Sequence, residues 1–391
     1  MKKYISLFLV KFPSLICYSA YYFFIDQLRN KKKKIRIFVL DEFRFREDIE
    51  ILRQATDIEY VGFPNILQDK ILGVILYANN GDIKSIEREL PKFIKLFCSM
   101  YSSVGFISAG MQYKRHEPWE KATLLVKKSF FCLHREGVGC DYNFLKKDLN
   151  KASYSSKKFK GTKLFVATNS FKRFLVESQY YTSNEIVVTG LPRFDKIYHS
   201  KKTSKDSNIL VLFSFFIGSP KESGLFPKCG GYRDFFNSVH GVVANYALNN
   251  PNITVYIKPK WYEGDAKESI DRAISKSIST DASNIKNLHI TDEISAQNLI
   301  KRANTVISFN STTLVESILY ERKVIMPKYF EAAESHKDYV YYSDYSDIFY
   351  CPNSPEELLK TIENCMSNNY SLKNISHDFI ADVSGDFDGL V

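Results

Sequence analysis

Asn304-Thr-Val-Ile-Ser-Phe-Asn-Ser-Thr-Thr-Leu-Val-Glu-Ser-Ile-Leu-Tyr-Glu-Arg-Lys-Val-Ile-Met-Pro327 reads as a strand, a tight hydroxyl-rich turn, a helix and a second strand. Thr305 to Phe309 is short, apolar and β-branched, as a buried parallel strand requires. Asn310, Ser311, Thr312 and Thr313 then offer capping side chains where a helix begins. A helix start carries free N–H groups and partial positive charge, so the turn is a candidate phosphate seat. Glu316, one turn further on, could reach a ribose hydroxyl beside that phosphate. The plainer reading is that Ser311 only caps the helix and Glu316 only favours its dipole.

Working outward, the chain has 391 residues, beyond the roughly 250 to 300 at which single cores give way to several domains. Two domains are therefore expected. Lys and Arg number 54 against 44 Asp and Glu, a formal charge of +10 that favours anionic partners. The lysine runs are scattered and none interleaves with aromatic residues, so nucleic acid is not among the expected partners. Seven cysteines without a Cys-x-x-Cys pair signal neither a disulfide framework nor a zinc site, and fit a reducing cytoplasm. The seven histidines include no His-Glu-x-x-His spacing, and no protein-bound metal is expected.

The segment 1–34 holds an apolar run from Ile5 to Ile25 followed by Arg29 and four lysines, Lys31 to Lys34. That order suits a segment meeting a membrane with its basic flank in the cytoplasm, although Lys11 and Pro13 interrupt a clean span. A peripheral anchor at the inner face of the cytoplasmic membrane is the leading expectation, and a packed first helix the alternative.

A β-α-β rhythm then fills residues 35–200. Its strands are read at Lys34–Leu40, Ile58–Val61, Val104–Ser108, Phe130–Leu133, Lys163–Ala167 and Glu185–Thr189, and its helices include Asp48–Ala55 and one capped by Ser170. The fourth strand runs into His134-Arg-Glu-Gly-Val-Gly139, placing ionisable side chains and glycines at a strand's C-terminal end, where open α/β sheets carry ligands. The polar stretch 201–208 reads as a linker. Residues 209–375 restart the rhythm, with Lys258-Pro-Lys260 at the end of the strand Ile253–Ile257 and the opening stretch further on. An acidic tail, 376–391, closes the chain. The fold class is α/β: two Rossmann-like doubly wound domains facing across a cleft.

That is the plan of the GT-B glycosyltransferases. Glu136-Gly137, Thr189-Gly-Leu-Pro-Arg-Phe-Asp195, Ile257-Lys-Pro-Lys260, Phe309-Asn-Ser-Thr-Thr-Leu-Val-Glu316 and Lys323-Val-Ile-Met-Pro327 resemble, in this order, signatures of bacterial enzymes that build capsule and other surface polysaccharides. The likeness covers roughly residues 100 to 330. It is similar to CMP-ulosonic-acid transferases and, more distantly, to CDP-glycerol glycerophosphotransferases. The resemblance implies a nucleotide-sugar donor bound by the second domain and a glycan or glycolipid acceptor bound by the first, with no metal or other cofactor. It implies Glu136 as general base, Lys258-Pro259 in the place of a His-Pro pair, and Ser311 with Thr312 or Thr313 as the phosphate seat. From their places at strand ends, His134 is a second catalytic candidate and Lys260 joins Lys258 as a candidate phosphate contact. Lysine relays a proton less readily than histidine, so a general acid is not assigned.

Each assignment has a structural rival. Glu136 could pair with Arg135 or Lys128, and Asp41 and Glu42 also follow a buried-type strand. Arg193 and Asp195 read as a pair bracing the interdomain corner, with cleft contact second. A polyol-phosphate transferase and a non-catalytic assembly protein remain alternative functions. A two-domain nucleotide-sugar epimerase is weakened, since its paired histidine and acidic residues are not found.

Overall fold

The structure is a computed structural model that describes residues 35–111, 113–135, 142, 158–199, 208–215, 217, 231–260, 265–333, 340, 342–375 and 379. The N-terminal segment, Glu136, Gly137, linker residues 201–207 and all of the tail but Phe379 lie outside the described residues.

The first half runs β1 (Arg36–Leu40), α1 (Glu42–Ala55), β2 (Glu59–Phe63), α2 (Asn65–Ala78), α3 (Lys84–Met100), β3 (Ser103–Ser108), α4 (Glu117–Leu125), β4 (Ser129–His134), β5 (Lys163–Val166), α5 (Asn169–Glu177), β6 (Ile186–Val188) and α6 (Pro192–His199). Its six strands are parallel in the order β2-β1-β3-β4-β5-β6. The second half runs β7 (Ile209–Phe213), α7 (Arg233–Asn249), β8 (Thr254–Lys258), α8 (Asp265–Ile278), β9 (Leu288–Ile290), α9 (Ala296–Arg302), β10 (Thr305–Ile307), α10 (Thr313–Leu319), β11 (Lys323–Ile325) and α11 (Pro355–Met366). Its five strands, also parallel, lie in the order β11-β10-β7-β8-β9. Both halves are therefore doubly wound, and the strand order reverses between β1 and β3 in one sheet and between β7 and β10 in the other. Ligands bind open α/β sheets at the carboxyl ends of strands flanking such a reversal.

The abundance of phenylalanine is spent largely on the cores. In the first, Phe38 lies 4.6 Å from Phe97 between ring centroids and Phe63 lies 5.1 Å edge-on from Trp119, separations at which aromatic pairs attract beyond their area burial. In the second, Phe235 and Phe309 meet edge-to-face at 4.8 Å. A third apolar cluster joins the halves: Val39, Ile49, Leu191, Phe194 and Ile197 pack with Val211, Leu299, Ile300 and Val306.

Three local expectations are corrected. Helix α1 begins at Glu42, six residues before Asp48, because Asp41 turns the chain directly out of β1 in a left-handed conformation (φ 62°). Helix α5 is capped by Thr168, whose hydroxyl accepts the Phe171 N–H, and Ser170 is buried inside its first turn. Finally, the strand read at Ile253–Ile257 ends one residue later, on Lys258 itself; elsewhere, after Gly190 (φ 69°), Pro192 opens α6. Proline's fixed φ and missing N–H suit a first helical position.

Candidate functional site

At the reversal of the second sheet, β10 ends at Ile307 and the chain enters the hydroxyl turn. Ser308 continues the ladder by donating its N–H to Ile325, and Asn310 takes a left-handed conformation (φ 46°) that turns the chain back toward α10. The Thr313 hydroxyl donates to Ser311 Oγ at 3.0 Å and the Thr313 N–H reaches the same oxygen at 3.3 Å. With its proton so used, Thr313 accepts from Ser308 across their 2.8 Å contact. Protons thus run Ser308 to Thr313 to Ser311, and the Ser311 hydroxyl keeps its own proton for a further acceptor. A hydroxyl chain with one outward donor suits an anion.

Cations stand beside this turn. Lys260, just past β8, donates to the Asn310 carbonyl at 3.0 Å, which ties the end of β8 to the turn. Lys258 donates to the Asp292 carbonyl at 3.2 Å, and its partial burial draws the ammonium pKa down, with Asp292 acting in the opposite direction. On β7, which separates these strands, Ser214 meets His240 Nε2 at 3.0 Å, while His240 Nδ1 lies 2.7 Å from the Phe236 carbonyl. A carbonyl only accepts, so Nδ1 carries the proton and Ser214 donates to Nε2. Burial holds the His240 pKa down to about 4, and the ring is neutral.

Thr312 behaves differently from its neighbours. Its hydroxyl donates to Glu316 Oε1 at 3.3 Å and so is not offered to a ligand. Glu316 is buried and faces the other half of the molecule: Arg193 Nε is 3.8 Å from Oε1, and Gln297 Nε2 reaches Oε2 at 3.4 Å while also bonding Glu47 at 2.9 Å. Burial pushes the Glu316 pKa up, and the Arg193 charge pulls against it. The described contacts of Glu316 outside its own turn are thus interdomain or lead there through Gln297.

Arg193 and Asp195 both sit in the first turns of α6 and both are buried. The corner is braced by Arg193 with Asp48 and Glu316, not by the expected Arg193–Asp195 pair. Asp48, with no exposed surface, accepts the Arg193 N–H at 3.1 Å and holds Nη1 at 3.3 Å and Arg135 Nε at 3.1 Å. Sequence reasoning passed over Asp48 and Gln297 as seam residues and weighed Arg135 only as a partner of Glu136. The one local signal was a carboxylate at position 48 within the inward stripe of α1, beside Ile49 and one turn from Leu52.

Arg135, the last residue described as the chain leaves β4, lies at this charged seam. Glu136 and Gly137 are themselves outside the described residues. His134 ends β4 in the core: Met111 N–H donates to Nδ1 at 3.4 Å, the ring stacks on Phe171 at 4.9 Å, and burial lowers its pKa to about 3. That is the placement of a core hydrogen-bonder, and a catalytic relay would have to act through the cover over the ring. Asp41, at the reversal of the first sheet, is also buried and accepts from Asn65 Nδ2 at 3.2 Å. Among the described residues, no group of three or more His, Cys, Asp and Glu side chains could hold a metal ion, and no helix is long and apolar enough to cross a membrane.

No family model matches the chain, and no curated protein sequence matches it. Solved structures do. The UDP-GlcNAc 2-epimerase of Methanocaldococcus jannaschii superposes with a TM-score of 0.55 at 12% identity, covering 91% of this chain and 96% of that one. A structure assigned as the UDP-N-acetylglucosamine 2-epimerase of Listeria monocytogenes gives 0.54 at 13% identity over 91% and 93%. The Methanocaldococcus enzyme in complex with UDP-GlcNAc and UDP gives 0.50 at 12% identity over 91% and 96%. The fold is GT-B. At these identities the likeness concerns the fold alone.

Proposed function

We propose that the chain is a metal-independent glycosyltransferase, moving a sugar from a nucleotide donor to a lipid-linked or growing surface-polysaccharide acceptor. The observation that carries this reading is the directed hydroxyl chain ending at Ser311, set at the strand-order reversal of the second sheet with Lys260 bound to the same turn. An outward hydroxyl donor beside a cation matches the phosphate of a nucleotide donor. Lys258 adds a second positive charge along that edge. In the transfer, the acceptor hydroxyl attacks the anomeric carbon as Glu136 takes its proton, and the bond to the leaving nucleotide breaks with its electrons passing to phosphate oxygen. Lys258 and Lys260 offset the charge that develops there.

The donor best matching the sequence resemblance is a CMP-activated ulosonic acid. The Methanocaldococcus enzyme, solved with UDP-GlcNAc and UDP, brings uridine nucleotides into the same test. A thermal-shift panel of CMP, CDP, UDP, GDP and dTDP should raise the melting temperature selectively, since saturation at 100 times Kd stabilises by about 2.7 kcal/mol. A flat response to all five overturns the donor assignment. Product mass then separates the chemistries: sugar gained without phosphate supports transfer, retained phosphate marks a polyol-phosphate transferase, and an isomerised donor without acceptor marks an epimerase. For residues 1–34 the reading is a peripheral membrane anchor. Deleting residues 1 to 30 should move the protein into the soluble fraction with turnover retained, and aggregation of the truncated chain would instead make them core.

A further inference from the structure

The contacts of Glu316 lead in two directions only. Oε1 is shared by the Thr312 hydroxyl of the donor turn and by Arg193 of the first half. Oε2 takes Gln297, which is itself held by Glu47 of the first half. Arg193 is nine-tenths buried and spans two carboxylates, Asp48 in its own half and Glu316 across the seam. A buried carboxylate persists as an anion only with a cation against it, so Glu316 depends on a residue from the opposite domain. In turn, the direction of the Thr312 hydroxyl depends on Glu316. An ionised carboxylate can only accept, and so it fixes the Thr312 proton away from the neighbouring hydroxyl chain.

We propose that Arg193 is a positioning residue for the donor: from the first half it holds Glu316 as the acceptor that orients Thr312, so that the donor turn is complete only while the two halves are docked. This rests on the reading of that turn as the phosphate seat. Without Arg193, Glu316 has Glu47 and Asp48 of α1 near it, opposed only by Arg135 at the end of β4, with Gln297 of α9 and Thr312 as neutral partners. It then takes up a proton, and a protonated carboxyl can donate as well as accept. The Thr312 hydroxyl loses its fixed direction and the turn its single arrangement.

The test is nucleotide affinity, measured by titration calorimetry with whichever of the five nucleotides stabilises the wild-type protein, at pH 6 and pH 8. Arg193→Gln should weaken binding at least tenfold and make it pH-dependent, although Arg193 belongs to the other half. The double variant Arg193→Gln with Glu316→Gln has no carboxyl left at position 316 to titrate, and its amide both donates and accepts, so it should bind without pH dependence and no more weakly than Glu316→Gln alone. A residue that merely holds the fold together would instead add its own loss to that of Glu316→Gln. Should the single variant fail to fold, Arg193→Lys carries the test: it keeps the charge but cannot span both carboxylates, and should weaken binding severalfold. Wild-type affinity in Arg193→Lys or Arg193→Gln, or additive losses in the double variant, overturns the proposal. If the wild-type protein itself binds no nucleotide, the donor reading fails first, and the two failures are thereby distinguished.

Discussion

The two sheets end in opposite chemistries. At the C-terminal edge of the first stand Asp41, His134 and Arg135, with Asp48 of α1 beside them: buried carboxylates, an imidazole kept neutral by burial, and a guanidinium already paired. At the same edge of the second stand Ser214, Lys258, Lys260 and the turn from Ser308 to Thr313, which are hydroxyls and ammonium groups. The same architecture thus places buried, paired carboxylates at one edge and hydrogen-bond donors suited to an anion at the other. That division teaches that the halves should fail separately when altered.

The largest expected effect is on turnover. Glu136→Gln keeps shape but loses basicity, and should lower turnover by about 10² to 10⁴ fold with nucleotide affinity nearly unchanged. Steady-state kinetics beside direct binding measurements check this. Near-normal turnover would move the base to Asp41 or Glu42, and a parallel loss of affinity would break the division between the edges.

Next comes acid stability, to which two buried histidines of depressed pKa contribute, one from each half. His134 and His240 have folded pKa values of about 3 and about 4 against an ordinary 6.5. Because the folded values are depressed, both rings are neutral in the native state, and their contribution is present above pH 6.5. It is lost as pH falls from 6.5 toward 4, where the unfolded chain takes up protons that the folded one refuses. The slope is about 1.4 kcal/mol per pH unit for each histidine. Denaturant unfolding between pH 7 and pH 4.5 should therefore steepen with acidity, and His240→Gln should remove about half of these two groups' share. An unchanged slope would mean that the ring titrates in the folded state.

A smaller effect belongs to the second edge. Ser311→Ala and Lys260→Ala should each weaken nucleotide binding by about 1.5 to 3 kcal/mol, the range for hydrogen bonds to charged groups, with little change in melting temperature without nucleotide. If either variant leaves affinity intact, the hydroxyl chain points at something other than phosphate.

How much of this could be read from sequence follows from how local each signal is. β3, read at Val104–Ser108 and found at Ser103–Ser108, was legible to within one residue, because a short apolar run needs no partner to be recognised. The hydroxyl turn was legible for the same reason. Helix α6 was not, since Gly190-Leu-Pro192 reads as a stop when its distant partners are unknown. The charged seam was hidden outright. Asp48 and Arg193 are 145 positions apart and Glu47 and Gln297 are 250 apart, so nothing within a helical turn of either residue encodes the pairing.

The smallest effect concerns helix starts, and it sharpens the contrast most finely. Thr168 caps α5 in the first half by accepting the Phe171 N–H at 3.0 Å, and Ser295 caps α9 in the second by accepting the Asn298 N–H at 3.3 Å. At the start of α10 the Thr312 side chain caps nothing: its hydroxyl goes to Glu316 across a 3.3 Å bond. Removing a side-chain cap costs about 1 kcal/mol, so Thr168→Ala and Ser295→Ala should each lower unfolding free energy by about that amount and leave nucleotide affinity alone. Ser170→Ala should cost less than Thr168→Ala, since Ser170 lies beyond the cap position. Thr312→Ala should show the reverse pattern, with little loss of stability and a measurable loss of affinity, because its hydroxyl serves the arrangement of the turn and not the helix. Equal stability losses at positions 168, 295 and 312 would make all three ordinary caps, and the turn would lose the feature that separates it from the capped starts of α5 and α9.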